Sequence, residues 1–248
     1  MRLDVFLGVG EATPAELAGR VVAVIDVLRA STTIAVALAN GARAVIPFES
    51  SEDAVARSKS YGRDEVRLAG ERRMLTIPGF DLGNSPREFT REVVEGHTVL
   101  FATSNGTVAL TGINGARDVV VAAYVNFSPV CALLRTALRG GADVAIICAG
   151  RDRHFALEDS ACAGRYVRVI TEALPDVVMN DAARACALIE RQYQDDRARI
   201  FADAEHGHAL AEAGFAADLA VCAGLDTYPV VPVYQDRQIT KLGPDRER

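Results

Sequence analysis

Apolar residues gather along this chain in short, nearly continuous runs of Val, Ile, Leu and Ala, separated by stretches in which they recur every three or four positions. A strand covered on one face alternates apolar and polar residues, whereas an unbroken run marks a strand covered on both. The runs predict strands at Leu3–Leu7, Val21–Asp26, Ala44–Phe48, Val66–Ala69, Val99–Thr103, Val119–Ala123, Val144–Cys148 and Val230–Tyr234. Helical spacing predicts helices at Thr32–Asn40, Glu52–Tyr61, Pro86–Val94, Pro129–Leu138, Ser160–Glu172 and Ala182–Tyr193. This alternation predicts an α/β fold with largely parallel sheets. Ser85-Pro86-Arg87-Glu88 has the order of a capping box, so the preceding GFDLGN segment is expected to lead into a helix. After about Ser160 the chain turns Ala-rich and helical. Two α/β lobes are therefore expected, 1–120 and 121–240, with their boundary between about 115 and 130.

Composition narrows the partners. Half of the 248 residues are hydrophobic and 24% are charged, which excludes a disordered or fibrous chain. The 27 Lys and Arg against 33 Asp and Glu leave a net charge of −6. That balance argues against nucleic acid and against an anionic membrane, since both demand clustered cations. No apolar stretch reaches the roughly 18–20 residues of a membrane helix, and Asp4 interrupts the apolar start, unlike a secretory signal. Five widely spaced cysteines without a CxxC pair read as reduced thiols and a cytoplasmic protein.

Candidate chemistry sits where strands end, because open parallel sheets bind ligands beyond the carboxyl ends of their strands. Asp26 closes an apolar strand, and a carboxylate there must be solvated, paired or bound to a cation. Arg29, Ser31, Thr32 and Thr33 follow at the start of a helix, whose free N–H groups attract anions. Ser104-Asn105-Gly106-Thr107 follows the Val99 strand and could present amides to a phosphate or form a plain turn. Asp26, Asp81, Glu158 and Asp159 together supply hard oxygen ligands of the kind Mg²⁺ prefers. The chain holds no GxxxxGK[ST] loop, no GxGxxG after a strand and no GxSxG elbow. Cys148 lacks the Cys-x5-Arg spacing of a thiolate phosphate cradle and reads as a packed strand residue. His206-Gly207-His208 reads as surface.

Taken together, DVLRASTT (26–33), GER (70–72), GFDLGNSP (79–86), TSNGT (103–107), Asn126, CAG (148–150) and FALED (155–159) resemble the 2-phosphosulfolactate phosphatase family, the ComB-like proteins associated with coenzyme M biosynthesis. The resemblance spans about residues 21–232, with Ser104 where the family carries Thr. It implies a Mg²⁺-dependent phosphatase of a small, highly anionic phosphoester, with its site between the two lobes at the strand ends. On this reading Asp26, Arg29 and Asn105 are catalytic. Arg29, Ser31, Thr32, Ser104, Asn105, Gly106 and Thr107 bind substrate, and Asp26, Asp81, Glu158 and Asp159 hold the metal. A homodimer is compatible with it. The alternatives are a binding protein for a phosphorylated metabolite and a phosphatase of another small phosphoester.

Overall fold

The computed structural model describes residues 1–62, 64–152 and 154–243. Its strands are β1 (Arg2–Phe6), β2 (Val21–Ile25), β3 (Ala44–Phe48), β4 (Val66–Arg72), β5 (Leu75–Thr76) and β6 (Thr98–Ala102), followed by β7 (Asp118–Ala122), β8 (Val144–Cys148), β9 (Val178–Met179), β10 (Pro232–Gln235) and β11 (Gln238–Lys241). Its helices are α1 (Pro14–Leu17), α2 (Ala30–Ala39), α3 (Ser51–Ser58), α4 (Arg91–Val94), α5 (Gly106–Thr111) and α6 (Phe127–Arg139), then α7 (Leu157–Ala173), α8 (Asp181–Tyr193), α9 (Arg197–Asp203), α10 (Glu205–Leu210) and α11 (Ala216–Cys222).

All the strands join one sheet, in the order β5-β4-β6-β3-β11-β10-β7-β2-β8-β1-β9. Two parallel blocks, β4-β6-β3 and β7-β2-β8-β1-β9, are joined through the antiparallel β10–β11 hairpin. The predicted α/β fold with a largely parallel sheet is thus the observed one. The expected halves, 1–120 and 121–240, do not form separate sheets, because β1 and β2 lie among strands of the second half. What divides the core is the pleat. Val21, Ala23 and Ile25 of β2 face one apolar cluster with helices α6 to α11, and Val22 and Val24 face another with α2 and α5.

Helix α2 explains how distant strands meet. Every residue from Ala30 to Leu38 is buried, so the helix is enclosed and carries apolar or hydroxyl side chains all round. It contacts β3, β11, β10 and β7. Those four strands separate β2 from β6, a span of roughly 24 Å in a flat sheet. The sheet instead wraps around α2, and the loops after β2 and β6 come into contact.

The helix expected over Pro86–Val94 is broken. A 3₁₀ turn covers Pro86–Glu88, and α4 begins only at Arg91. Phe89, between them, is buried edge-on against Phe101, and its carbonyl accepts a 2.7 Å bond from Asn40 Nδ2, so that carbonyl is drawn out of helical use. The expected capping box is absent too. Ser85 makes no cap bond and spends its hydroxyl on Asp218 instead.

Candidate active site

Strand β2, buried along its whole length, delivers Asp26 to the sheet's carboxyl edge with 6% of its surface exposed. The loop that follows is tied by its own polar groups. The Asp26 N–H donates to Ser31 Oγ at 2.8 Å, Thr32 Oγ1 donates to the Val27 carbonyl at 3.0 Å, and Thr33 Oγ1 to the Asn84 carbonyl at 3.0 Å. Ser31 and Thr32, expected to bind phosphate, thus use their hydroxyls to shape the loop. Thr107 likewise bonds within its own turn, to Thr103.

Two clamps fix this loop to the rest of the molecule. Asp159 accepts from the Val27 N–H at 2.9 Å and the Gly150 N–H at 3.0 Å, joining the loops after β2 and β8. Arg29, buried, donates to Asp218 Oδ2 at 2.8 Å and to the Met74 carbonyl at 3.0 Å, with its guanidinium 4.2 Å from the Phe215 ring centre. The other oxygen of Asp218 accepts from Ser85 at 2.7 Å. Arg29 therefore borders the site with two of its five N–H groups donating to protein oxygens.

Between the loops lies a cavity of about 320 Å³. The acids Asp26, Glu71 and Asp152 line it, with Asn84, Arg73, Arg151 and His206. Glu71 arrives at the end of β4 as Asp26 does at the end of β2. Its two oxygens accept from the Ser104 N–H at 2.8 Å and the Met74 N–H at 2.9 Å. Asn84 Oδ1 is buried without a hydrogen-bond partner. Gly106 packs so closely that a Cβ there would lie 2.7 Å from Asp26 Oδ2 and 2.6 Å from the Ala30 Cβ. Only glycine fits between helix α5 and this carboxylate. Ser104 and Asn105 line the cavity from the same turn, and Asn105 Oδ1 accepts from the Asp152 N–H at 3.2 Å.

Burial pushes the Asp26 carboxyl up to about 6; attraction to His206 opposes this, and Glu71 and Glu158 reinforce it. Burial, Glu158 and Asp26 push Asp159 well above the carboxylate range, against its two N–H bonds. His206 Nδ1 lies 3.2 Å from Glu158 Oε1. The fully buried Cys148 thiol is pushed far up by burial, which fits a packed strand residue. A larger cavity of about 660 Å³ opens between α3, β3 and the β10–β11 hairpin, and none of the sequence-derived candidates lines it.

Of the four carboxylates expected to hold a metal, Asp26, Glu158 and Asp159 lie near enough to act on one another, and Asp81 does not line the cavity. Asp81 is exposed and caps the Leu68 N–H at 2.8 Å. Asp159 accepts two amides, as Glu71 does, but does not line the cavity, and Glu158 faces His206. Among the described residues no group of three or more His, Cys, Asp and Glu side chains is placed to hold an ion. Sequence reasoning passed over Glu71, Asn84, Arg73 and Arg151, and set His206 aside as surface. Glu71 had a usable signal: it ends a strand, the same criterion that singled out Asp26.

Acids and arginines thus surround a small cavity at the strand ends of an α/β sheet, where such sheets bind ligands. The sequence model described as 2-phosphosulpholactate phosphatase matches residues 9–237. The chain belongs to the 2-phosphosulfolactate phosphatase family, whose members are classed as phosphoric monoester hydrolases. It is 40% identical over 227 residues to a protein of Symbiobacterium thermophilum named probable 2-phosphosulfolactate phosphatase, covering 92% of this chain and 96% of that one. Proteins of the same name from Caldanaerobacter subterraneus and Clostridium acetobutylicum are 36% and 31% identical, covering 85% and 96% of this chain and 86% and 100% of theirs.

Proposed function

We propose that this protein hydrolyses 2-phosphosulfolactate to sulfolactate and phosphate in the cavity bounded by Asp26 and Glu71. The observation that carries the reading is the pair of buried strand-end carboxylates opening into one small cavity that arginines also line. Uncatalysed hydrolysis of a phosphate monoester is extremely slow, so the site must stabilise charge on the phosphoryl oxygens. Asp26 opens into the cavity at the contact of the two loops, with Gly106 packed against its carboxylate. His206, oriented by Glu158, offers its second ring nitrogen to protonate the leaving alkoxide. The Ser104 amide is turned toward Glu71, so this turn serves to place that acid.

Two acids beside an anionic substrate are unfavourable unless a cation offsets them. The donors present, Asp26, Glu71 and the unpartnered Asn84 Oδ1, are hard oxygens, which suit Mg²⁺. These three residues replace the four acids expected from sequence as the proposed holders of Mg²⁺. When bound, the ion would neutralise phosphoryl charge and lower the pKa of a water molecule. Five free, buried cysteines support placing the protein in the reducing cytoplasm.

The test is phosphate release from 2-phosphosulfolactate by the purified chain, with Mg²⁺ and with excess EDTA. Turnover in Mg²⁺ that EDTA abolishes is expected, together with at least a ~100-fold lower kcat in Asp26→Asn. Full turnover in EDTA would refute the Mg²⁺ component. Absence of turnover with any small phosphomonoester would refute the phosphatase reading.

A further inference from the structure

The β4–β5 hairpin pairs Arg72 with Leu75, so Arg73 and Met74 alone form its turn. Both have positive φ, 51° and 71°. Two-residue hairpin turns with both residues in the left-handed region are normally built from Asn-Gly or Gly-Gly, since a Cβ is disfavoured there. Here neither residue is glycine or asparagine. The turn is held in this shape from two sides: the Met74 N–H donates to Glu71 Oε2 at 2.9 Å, and the Met74 carbonyl accepts from Arg29 at 3.0 Å. Strain maintained by buried charged groups at the edge of a cavity marks a position with a task.

The task follows from what the turn presents. Arg29, Arg73 and Arg151 line the cavity. Arg29 is committed to Asp218 and Met74, and Arg151 donates to Glu205 at 3.0 Å. Arg73 makes no hydrogen bond or ion pair among the described residues. It is an exposed, unpaired, permanently charged fork at the rim of a cavity whose inner side carries Asp26 and Glu71.

We propose that Arg73 is the specificity residue of the site, and that it grips a second anionic group of the substrate, a carboxylate or sulfonate, by bidentate hydrogen bonds. The inference rests on the phosphatase reading and names the part of the substrate that the acids cannot recognise. A monoester with a further anion bridges Arg73 and the acidic side. One without it uses the acidic side alone.

The test compares the wild-type chain with Arg73→Ala, Arg73→Lys and Arg73→Gly on 2-phosphosulfolactate and on phenyl phosphate, which has no second anion. Arg73→Ala and Arg73→Gly should raise KM for 2-phosphosulfolactate roughly 10- to 100-fold and leave phenyl phosphate within about 3-fold, with Arg73→Lys between. Arg73→Gly should also raise Tm, because glycine accepts the positive φ. A residue that merely shaped the turn would not lose selectivity while gaining stability. Equal KM shifts on both substrates, or no shift, overturn the proposal while leaving the phosphatase reading intact. If the wild-type chain turns over neither ester, the phosphatase reading fails, and calorimetry with sulfolactate decides this proposal separately. Binding weakened in Arg73→Ala supports it, and equal or absent binding overturns it.

Discussion

Asp26 and Asp159 are both buried carboxylates and both raised by burial, one directly after strand β2 and the other in the first turn of α7. They differ in what their oxygens meet. Asp159 is closed off, each oxygen taking a backbone N–H, at 2.9 and 3.0 Å. Asp26 keeps one long bond, from the Ala30 N–H at 3.3 Å, and opens into the cavity. The Arg29–Asp218 pair belongs with the closed group. Glu71 also gives each oxygen to a backbone N–H, at 2.8 and 2.9 Å, yet it lines the cavity with Asp26 and Asn84. Burial alone therefore does not distinguish a structural acid from a chemical one; opening into the cavity does.

The closed group should be the most costly to disturb. Arg29→Ala or Asp218→Ala leaves a buried charge alone, and each should lose about 3–5 kcal/mol of stability in urea unfolding. Loss below 1 kcal/mol in both would show that the pair is not buried as described. Asp26→Asn should behave in the opposite sense. A carboxyl raised from its unfolded value of 3.8 to about 6 supports stability only below the lower value, and that support disappears as pH rises through 6. The variant should thus gain up to about 3 kcal/mol at pH 8 and nothing below pH 4, while losing turnover. Stability profiles of the two proteins that run parallel from pH 4 to 8 would show that burial does not raise the Asp26 carboxyl. Asp159→Ala strands the Val27 and Gly150 amides and should cost about 1–3 kcal/mol. Chemical denaturation reads it directly. The smallest effect belongs to Asp81, whose removal should cost about 1 kcal/mol and leave Mg²⁺ dependence of turnover unchanged. A tenfold shift in the Mg²⁺ requirement of Asp81→Ala would return that acid to the site.

Much of the sheet was legible because enclosure on both faces leaves no polar positions in a strand. Ala44–Phe48 and Val144–Cys148 match their predicted ends residue for residue. Strand β11, Gln238–Lys241, was missed because it buries only Ile239 fully and carries no apolar run. Strand β10 was foreseen as an apolar run, but its antiparallel direction depends on a hairpin partner with no pattern of its own. Ser85 read as a helix cap because local order supports it; its hydroxyl is claimed by Asp218, 133 residues away. Such competition cannot be read locally. In the site, Asp26 was legible from strand-end burial. Asp81 was singled out by applying the same reasoning to a loop, where the acid is exposed and caps the Leu68 amide. His206 is indistinguishable from a surface histidine until α10 is packed against Glu158.

The β10–β11 hairpin governs the order in which this molecule can be made. During synthesis, β3 and β7 emerge more than a hundred residues before the segment that joins them. Until then each parallel block ends in an apolar strand with unpaired amides, an edge open to other chains. The blocks carry different parts of the cavity: Glu71 and Asn105 come with one, and Asp26 with the other. A nascent chain stopped before Pro232 would hold nearly every residue named above and still lack the strands that close the sheet around α2. Quality control by the cell thus falls on a short, unremarkable hairpin far from the chemistry, and mutations there should surface as aggregation rather than as altered kinetics.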